Sequence, residues 1–192
     1  MTAARPPREP VHMACAVIET PIGSLGLAAS AAGLSRVEFD ADPGFARGSS
    51  DHGTGPGTDP AAESILRQAA EELNRYFKGE LTEFSVPLAP LGTDFQKRVW
   101  DRLRQIPFAA TTTYGSIARG LGDPNATRAV GLANGRNPLP IIVPCHRVIG
   151  ADGSLTGFGG GLPRKRWLLD HERRADTEPE RADSLLFSAH LH

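Results

Sequence analysis

Long apolar runs are missing from this chain of 192 residues. Its longest apolar stretches, 13–18 and 139–143, are far too short to span a bilayer. The N-terminus carries arginines with no apolar stretch behind them, so no secretory signal is indicated. Only two cysteines occur, Cys15 and Cys145, and a reducing compartment would keep both as thiols. We therefore expect a cytoplasmic protein without a membrane span or a disulfide.

Excess charge of one sign is also missing, since the net charge is −1. The basic residues are nevertheless unevenly placed. Segment 97–147 has only two acidic residues, Asp101 and Asp123, whereas its basic residues are Lys97, Arg98, Arg102, Arg104, Arg119, Arg128, Arg136 and Arg147. A local basic surface can bind phosphate even when the whole chain is nearly neutral. The segment is therefore a candidate nucleic-acid contact, and a solvated surface of arginines is the open alternative.

The first part of the chain reads as a small sheet followed by a helix. Three short segments, joined by turns at 20–23 and 31–33, predict an antiparallel meander, at 12–19, 24–29 and 34–39. Asp59 and Pro60 are typical of a helix start, and apolar residues recur at helical spacing until Gly79. The predicted organisation is a flexible N-terminus at 1–11, a first domain at 12–90 with a mobile loop at 40–60, a second domain at 92–174 and a disordered tail at 175–192.

The second part of the chain contains two short predicted helices, near 114–118 and 125–134, across a glycine-containing turn. Such a pair is typical of a helix-turn-helix. Small residues fill the second helix, which favours close approach of its backbone to another surface. A last helix begins at Pro163, and the polar sequence from Arg173 onward predicts disorder.

The sequence Pro-Cys-His-Arg-Val at 144–148 is the feature richest in chemistry. A thiol acts as a nucleophile only as thiolate, whose formation nearby cations or a proton-accepting histidine promote. The preceding apolar run, 139–143, predicts a short strand that delivers Cys145 into a proline-bounded turn. Taken alone, the motif is also compatible with a structural role, in which a buried cysteine precedes a surface histidine.

Together the motifs resemble one family closely. They are Phe95-Gln96-Lys97-Arg98-Val99-Trp100, Ile106-Pro107, Thr113-Tyr114-Gly115, Arg128-Ala129-Val130-Gly131, Ala133-Asn134, Asn137-Pro138, Ile142 to Gly150, Thr156-Gly157-Phe158, and Lys165 with Leu168-Leu169. The segment from Thr93 to Glu172 thereby resembles the O6-alkylguanine-DNA alkyltransferases, or methylated-DNA–protein-cysteine methyltransferases. The resemblance implies an α/β (α+β) fold, with a small ribonuclease-H-like N-terminal domain and a C-terminal helix-turn-helix (winged-helix-like) alkyltransferase domain.

The resemblance implies a chemical role for four residues. Cys145 would be the nucleophile and alkyl acceptor, and His146 would take its proton through a water. Glu172 would orient the histidine and stabilise its charge, and Asn137 would brace the turn. The thioether that forms is not reversed by cellular thiol exchange, so each molecule would act once, with no metal and no cofactor.

The resemblance also implies a DNA partner, double-stranded DNA containing O6-alkylguanine, with O4-alkylthymine as a second candidate lesion. A thiol reaches such a base only if the nucleotide is extruded from the stack. The second helix would enter the minor groove, Arg128 would fill the vacancy in the stack, and Tyr114 would rotate the adjoining phosphate. Further contacts to DNA or the base are expected from Gln96, Thr127, Ala129, Gly131, Val148, Phe158 and Gly159. Relatives are mostly monomers, so a monomer is expected.

Phe158 departs from the pattern, since many relatives have tyrosine there. The hydroxyl can donate to the departing guanine oxygen, and loss of a well-placed transition-state donor costs about 3 kcal/mol. We expect a slower but functional enzyme, unless a backbone amide of Gly159 or Gly160 makes the contact.

Three other readings follow from the same residues. A non-catalytic lesion-binding protein would have tryptophan at the cysteine position, so Cys145 disfavours it. A cysteine hydrolase would use Cys145, His146 and Asn137, but hydrolases hold nucleophile and base on separate elements. His12 and Cys15 have a spacing found in zinc sites, although only two ligands are local.

Overall fold

A computed structural model describes residues 13–45 and 59–177. The first domain opens with an antiparallel sheet of three strands in sequence order, β1 (Ala14–Thr20), β2 (Gly23–Ser30) and β3 (Gly33–Phe39). The register pairs Thr20 with Gly23 at the β1–β2 turn. The predicted meander is confirmed for the described residues, and position 12 lies outside them.

Helix α1 (Pro60–Phe77) packs on this sheet. The side chain of Asp59 accepts a hydrogen bond from the Ala61 amide and caps the helix as predicted. Its buried face includes Leu66 and Leu73, whose burial contributes roughly 2 kcal/mol each. The helix ends where Gly79 takes a positive φ of 78°, a conformation that glycine adopts without steric cost. Most of the predicted mobile loop, 46–58, lies outside the described residues.

The second domain begins with helix α2 (Asp94–Arg104). A capping box formed by Thr93 and Gln96 stabilises the start of this helix. Helix α3 (Tyr114–Gly120) and helix α4 (Thr127–Gly135) form the predicted helix-turn-helix. A turn of 3₁₀ helix, Pro124–Ala126, precedes α4, so the α-helix starts two residues later than expected. A parallel pair of short strands joins the segment just before α3 to the segment after α4. These strands are β4 (Thr112–Thr113) and β5 (Val148–Ile149).

Helix α5 (Leu162–Thr177) is longer than predicted. The sequence predicted disorder from Arg173 onward, with the second domain ending at 174 and the tail beginning at 175. Residues 173–177 are helical instead. Polarity of an outer helix face does not prevent helix formation, and Arg173 pairs with Asp170 one turn earlier at 3.4 Å. The remainder of the predicted tail, 178–192, and the predicted N-terminal extension, 1–11, lie outside the described residues.

The two domains share contacts along β3 and α5. The amide of Val37 donates to the carbonyl of Pro138 at 2.8 Å. From α5, Arg164 donates through Nε to the carbonyl of Ile22 at 2.8 Å and through Nη1 to the carboxylate of Asp40 at 3.0 Å. One buried apolar cluster extends through both domains. Among the described helices, none is both long and apolar enough to cross a membrane.

Candidate active site

The apolar run before the cysteine is a buried turn, and the predicted strand is wrong. Val143 donates from its amide to the Leu139 carbonyl at 2.8 Å, and Ile141 lies at a φ of 77°. Prolines at 138, 140 and 144 lack the amide hydrogens that a strand ladder requires. A β-branched residue in the left-handed region is strained, so the surrounding packing must hold this turn in place.

Asn137 braces the turn from both sides. Its Nδ2 donates to the carbonyl of Val143 at 2.8 Å, and its Oδ1 accepts from the amide of Leu139 at 3.0 Å. These two bonds close the loop that leads into Cys145. The position of the cysteine backbone therefore depends on this one carboxamide.

Cys145 begins a 3₁₀ turn, Cys145–Arg147, and is only 4% exposed. Burial raises the pKa of its thiol to about 11, although hydrogen bonding by Asn137 and the charge of Lys165 oppose that rise. The thiol is therefore protonated at rest and must lose its proton during the reaction. The cation near the sulfur is Lys165, and the adjacent Arg147 is directed elsewhere.

His146 is fully buried, and its Nε2 lies 2.7 Å from Oε1 of Glu172. Burial lowers the pKa of the imidazole below its usual value, and the carboxylate opposes that shift only in part. A neutral imidazole beside a carboxylate carries its hydrogen on Nε2, which leaves the lone pair on Nδ1. Nδ1 has no hydrogen-bond partner within the described part of the chain. This nitrogen is therefore the free base of the site.

The carboxylate of Glu172 accepts hydrogen bonds from several donors of the site. It accepts from Arg147 through Nε at 2.9 Å and Nη2 at 3.0 Å, from the Ala109 amide at 3.1 Å, and from the Tyr76 hydroxyl at 2.8 Å. Burial opposes its ionisation, but the bonds and charges of His146 and Arg147 outweigh that effect and hold its pKa well below the usual range. Glu172 is thus an anion with the histidine as one of four partners.

The sequence did not reveal these further partners of Glu172. Tyr76 is 96 positions away on α1, and Ala109 presents its amide from a left-handed conformation with a φ of 58°. Neither residue carries a local signal. Arg147 did, because it adjoins the histidine in the motif, but the sequence could not show which way its side chain turns.

Lys165 on α5 is buried and donates to two backbone carbonyls, those of Val148 and Thr156, each at 2.6 Å. Val148 was predicted to contact substrate or DNA. Its side chain is completely buried, and the described structure uses its carbonyl to hold this lysine. Lys165 thereby links α5 to the strand that follows the cysteine turn.

A pocket of about 530 Å³ opens beside Cys145. It brings together four predicted site residues, Asn137, Cys145, Phe158 and Gly159, with the end of β3. The residues from the sheet side are Arg36, Val37, Glu38, Phe39 and Asp40. The first domain therefore forms one wall of the pocket. Asn134 also lines it, and its buried Oδ1 has no partner among the described residues.

Phe158 is held between the two domains. Its ring centroid lies 5.6 Å from that of Phe39 and 6.5 Å from that of His146. A Cβ at Gly160 would lie 2.7 Å from the Phe39 ring and 2.9 Å from the Phe158 ring, so only glycine fits there. The amides of Gly159 and Gly160 make no hydrogen bond to other described residues. Both are available to a ligand.

Helix α4 presents an exposed face. Thr127, Arg128 and Ala129 are exposed, and Leu132, which sequence reasoning missed, is 65% exposed one turn after Arg128. Gly131 faces Tyr114, whose ring lies 3.9 Å from the position of an added Cβ.

Two predicted contacts, Tyr114 and Gln96, have structural bonds in the free protein. The Tyr114 hydroxyl accepts from Thr156 Oγ1 at 3.4 Å. The Gln96 carboxamide accepts from the Thr93 amide at 2.8 Å and serves the start of α2. Neither residue lines the pocket beside Cys145, and neither do Thr127, Arg128, Ala129 and Leu132 of α4.

Among the described residues, no group of three or more His, Cys, Asp or Glu side chains could hold a metal ion. The zinc hypothesis for Cys15 involved His12, which lies outside those residues. Cys15 itself is a partly buried free thiol.

Comparison with known proteins gives matches over both domains. Residues 94–174 match the family model of the 6-O-methylguanine DNA methyltransferase DNA binding domain, and residues 13–90 match that of its ribonuclease-like domain. A Methanosarcina acetivorans methylated-DNA–protein-cysteine methyltransferase is 49% identical over 157 residues, which is 82% of this chain and 96% of the relative. The Mycobacterium tuberculosis H37Rv protein of the same name is 52% identical over 159 residues, 81% of this chain and 90% of its own length.

A solved structure extends the likeness to the fold. Mycobacterium tuberculosis OGT in complex with DNA superposes with a TM-score of 0.72 at 50% identity, over 86% of this chain and 94% of that one. The ribonuclease-like and DNA-binding parts occur in the order expected from the sequence. On these matches, the chain belongs to the methylated-DNA–protein-cysteine methyltransferases, a family of DNA repair enzymes.

Proposed function

We propose that this protein reverses alkylation damage directly, by moving the alkyl group of O6-alkylguanine in duplex DNA onto Cys145 in a single turnover. The observation that carries the proposal is the arrangement at the end of the cysteine turn. A buried thiol opens onto a pocket, and the next residue is a buried neutral histidine with a free basic nitrogen. That set supplies a nucleophile and a base in one site.

The proton transfer follows from the protonation states at rest. The thiol of Cys145 gives its proton to Nδ1 of His146, through a bridging water, and the anion of Glu172 stabilises the imidazolium that results. The sulfur then forms a bond to the alkyl carbon while the bond from that carbon to O6 breaks. The guanine keeps that electron pair, so that O6 becomes a carbonyl oxygen and N1 takes up a proton from water. The imidazolium returns the proton it accepted to water, which closes the balance. The product is a thioether with no leaving group, so the protein is consumed.

The pocket accommodates the extruded base. Phe158 provides an apolar wall and the unpaired Oδ1 of Asn134 provides an acceptor for the amino group of guanine. In place of the missing tyrosine hydroxyl, the donor to the guanine oxygen in this proposal is a backbone amide, that of Gly159, which lines the pocket, or that of Gly160. Both domains line this pocket, so we take 12–90 and 92–174 as two domains that function together.

The exposed face of α4 is the DNA contact of this proposal. Arg128 and Leu132 project from it one turn apart, and small residues at 129 and 131 allow the helix backbone to approach the duplex. We propose that this face enters the minor groove, where inserted side chains hold a distorted duplex open. Arg128 occupies the space of the extruded nucleotide, Tyr114 displaces the phosphate beside it, and Thr127 contacts the backbone. One copy of the chain contains every group needed, so a monomer suffices.

The experiment is intact-mass measurement with peptide mapping after incubation with a duplex that contains one O6-methylguanine. The expected result is a gain of one methylene, located at Cys145, absent in Cys145→Ser and retained in Cys15→Ser. Duplex binding without any mass gain would overturn the proposal and favour a lesion-binding protein.

A further inference from the structure

The first domain contacts the carboxylate of the site through the side chain of Tyr76. Tyr76 lies on α1, is fully buried, and donates its hydroxyl to Oε1 of Glu172 at 2.8 Å. The same oxygen receives Nε2 of His146 at 2.7 Å. Nη2 of Arg147 also donates to it, at 3.0 Å. Donors from both domains therefore meet on a single carboxylate oxygen.

The surroundings of Tyr76 fix its hydroxyl in this direction. Its ring packs against those of Phe84 at 5.5 Å and Phe108 at 6.3 Å, and its carbonyl accepts from Nε2 of His171 at 2.7 Å. Burial, followed by the charge of Glu172, raises the pKa of the phenol well above its usual value. The hydroxyl is therefore a permanent donor, and backbone and ring contacts leave it little freedom to turn away.

We propose that Tyr76 is a positioning residue for alkyl transfer, which holds the carboxylate of Glu172 so that this carboxylate can orient and tune the imidazole of His146. The inference rests on the proposed function, because it assigns a task within the same proton transfer. It also assigns the first domain a part in the chemistry, beyond its contribution to the pocket wall.

The direction of the effect follows from the shared oxygen. The Tyr76 hydroxyl withdraws negative charge from Oε1, so its removal leaves more charge for the two remaining partners of that oxygen, His146 and Nη2 of Arg147. The stronger bond to His146 favours the imidazolium. The charged or titratable groups that face the histidine are Glu172, Arg147, Lys165 and Cys145, and those that face Tyr76 are Glu172, Arg147 and His171. The change Tyr76→Phe leaves all of these groups in the protein, because it keeps the ring and removes only the hydroxyl.

The test is the single-turnover rate of methyl transfer from an O6-methylguanine duplex, measured from about pH 5 to about pH 9. For Tyr76→Phe the acid limb, where His146 gains its proton, should move up by about half a pH unit, and the plateau rate should fall roughly three- to tenfold. Ser24→Ala is the matched control, since it removes a hydroxyl of the same domain that donates to the Ala41 carbonyl at 2.8 Å. Its acid limb should coincide with that of the wild type.

An acid limb of Tyr76→Phe that coincides with that of the wild type overturns the inference, whatever the change in thermal stability. If the variant fails to fold, a ring-fluorinated tyrosine at position 76 keeps size and hydroxyl but is a stronger donor, so the limb should move down instead. Absence of that downward shift is equally decisive against the inference. A wild-type protein that gains no methyl group overturns the proposed function itself, which distinguishes the two failures.

Discussion

Replacing Arg147 with methionine tests how the buried carboxylate is stabilised. The guanidinium supplies Glu172 with two charge-assisted bonds, at 2.9 and 3.0 Å, and donates through Nη1 to the carbonyl of Ile106 at 2.7 Å. Removing one partner of a buried ion pair costs about 3–5 kcal/mol, because the other charge stays buried. His146, Tyr76 and the Ala109 amide remain on Glu172, so we expect about 3 kcal/mol.

For a chain of this size such a loss corresponds to a fall in Tm of about 6–12 °C. Urea titration gives the free energy of unfolding directly, and Arg36→Met is the control. Arg36 pairs with Glu38 at 3.2 Å, but their side chains are 53% and 46% exposed, so this loss should stay below about 1 kcal/mol.

A second comparison separates the charge from the packing of the arginine. Adding Glu172→Gln to Arg147→Met removes the charge that would be left unpaired, so the double variant should lose less than the sum of the two single losses. Equal losses for Arg147→Met and Arg36→Met would refute the reasoning, since the buried pair would then stabilise no more than an exposed one.

The remaining predictions concern rate, pH and DNA. Phe158→Tyr restores a transition-state donor and should raise the single-turnover rate by up to about 100-fold; an unchanged rate would mean that the glycine amides already make this contact. Burial lowers the pKa of His146 from 6.5, and the partners of Glu172 lower its pKa from 4.5, so the unfolded chain takes up these protons first as the pH falls. The urea midpoint should therefore fall as the pH drops below about 6.5 and fall further below about 4.5, and a constant midpoint from pH 7 to pH 4 would contradict this. Arg128→Ala should slow transfer from duplex DNA at least tenfold but leave transfer from the free base O6-methylguanine unchanged, with exposed Arg67→Ala as control; equal slowing with both substrates would place Arg128 in the chemistry instead.

Much of this fold could be predicted because its elements carry local signals. Asp59 and Pro60 marked the start of α1, and the turns at 20–23 and 31–33 marked off the three strands. The motif around Cys145 indicated where the chemistry lies, since the residue types at 144–148 are rare in that combination. The capping role of Gln96 was also readable, because Thr93 precedes it by three residues in the pattern of a capping box.

Other features depend on contacts that no local pattern records. An apolar run such as 139–143 reads equally well as a strand or as a buried turn, and the prolines decided the outcome. The bond from Tyr76 to Glu172 joins helices of different domains, so only the packed structure shows it. The end of α5 was missed because a polar sequence was read as a disordered one, although one helix face can be wholly solvated.

Helix α5 fixes the spacing between three side-chain contacts. Arg164 donates a hydrogen bond to the first domain, and Lys165 donates one to the strand after the cysteine turn. Glu172 accepts a hydrogen bond from the histidine. Arg164 and Glu172 are eight residues apart, about 12 Å along the axis, and each residue turns the helix by about 100°. Inserting or deleting one residue between them would rotate the side chain of Arg164 or of Glu172 away from its partner while the other stayed in place. The length of this segment is therefore as strict a requirement on the sequence as the identity of the residues that it carries.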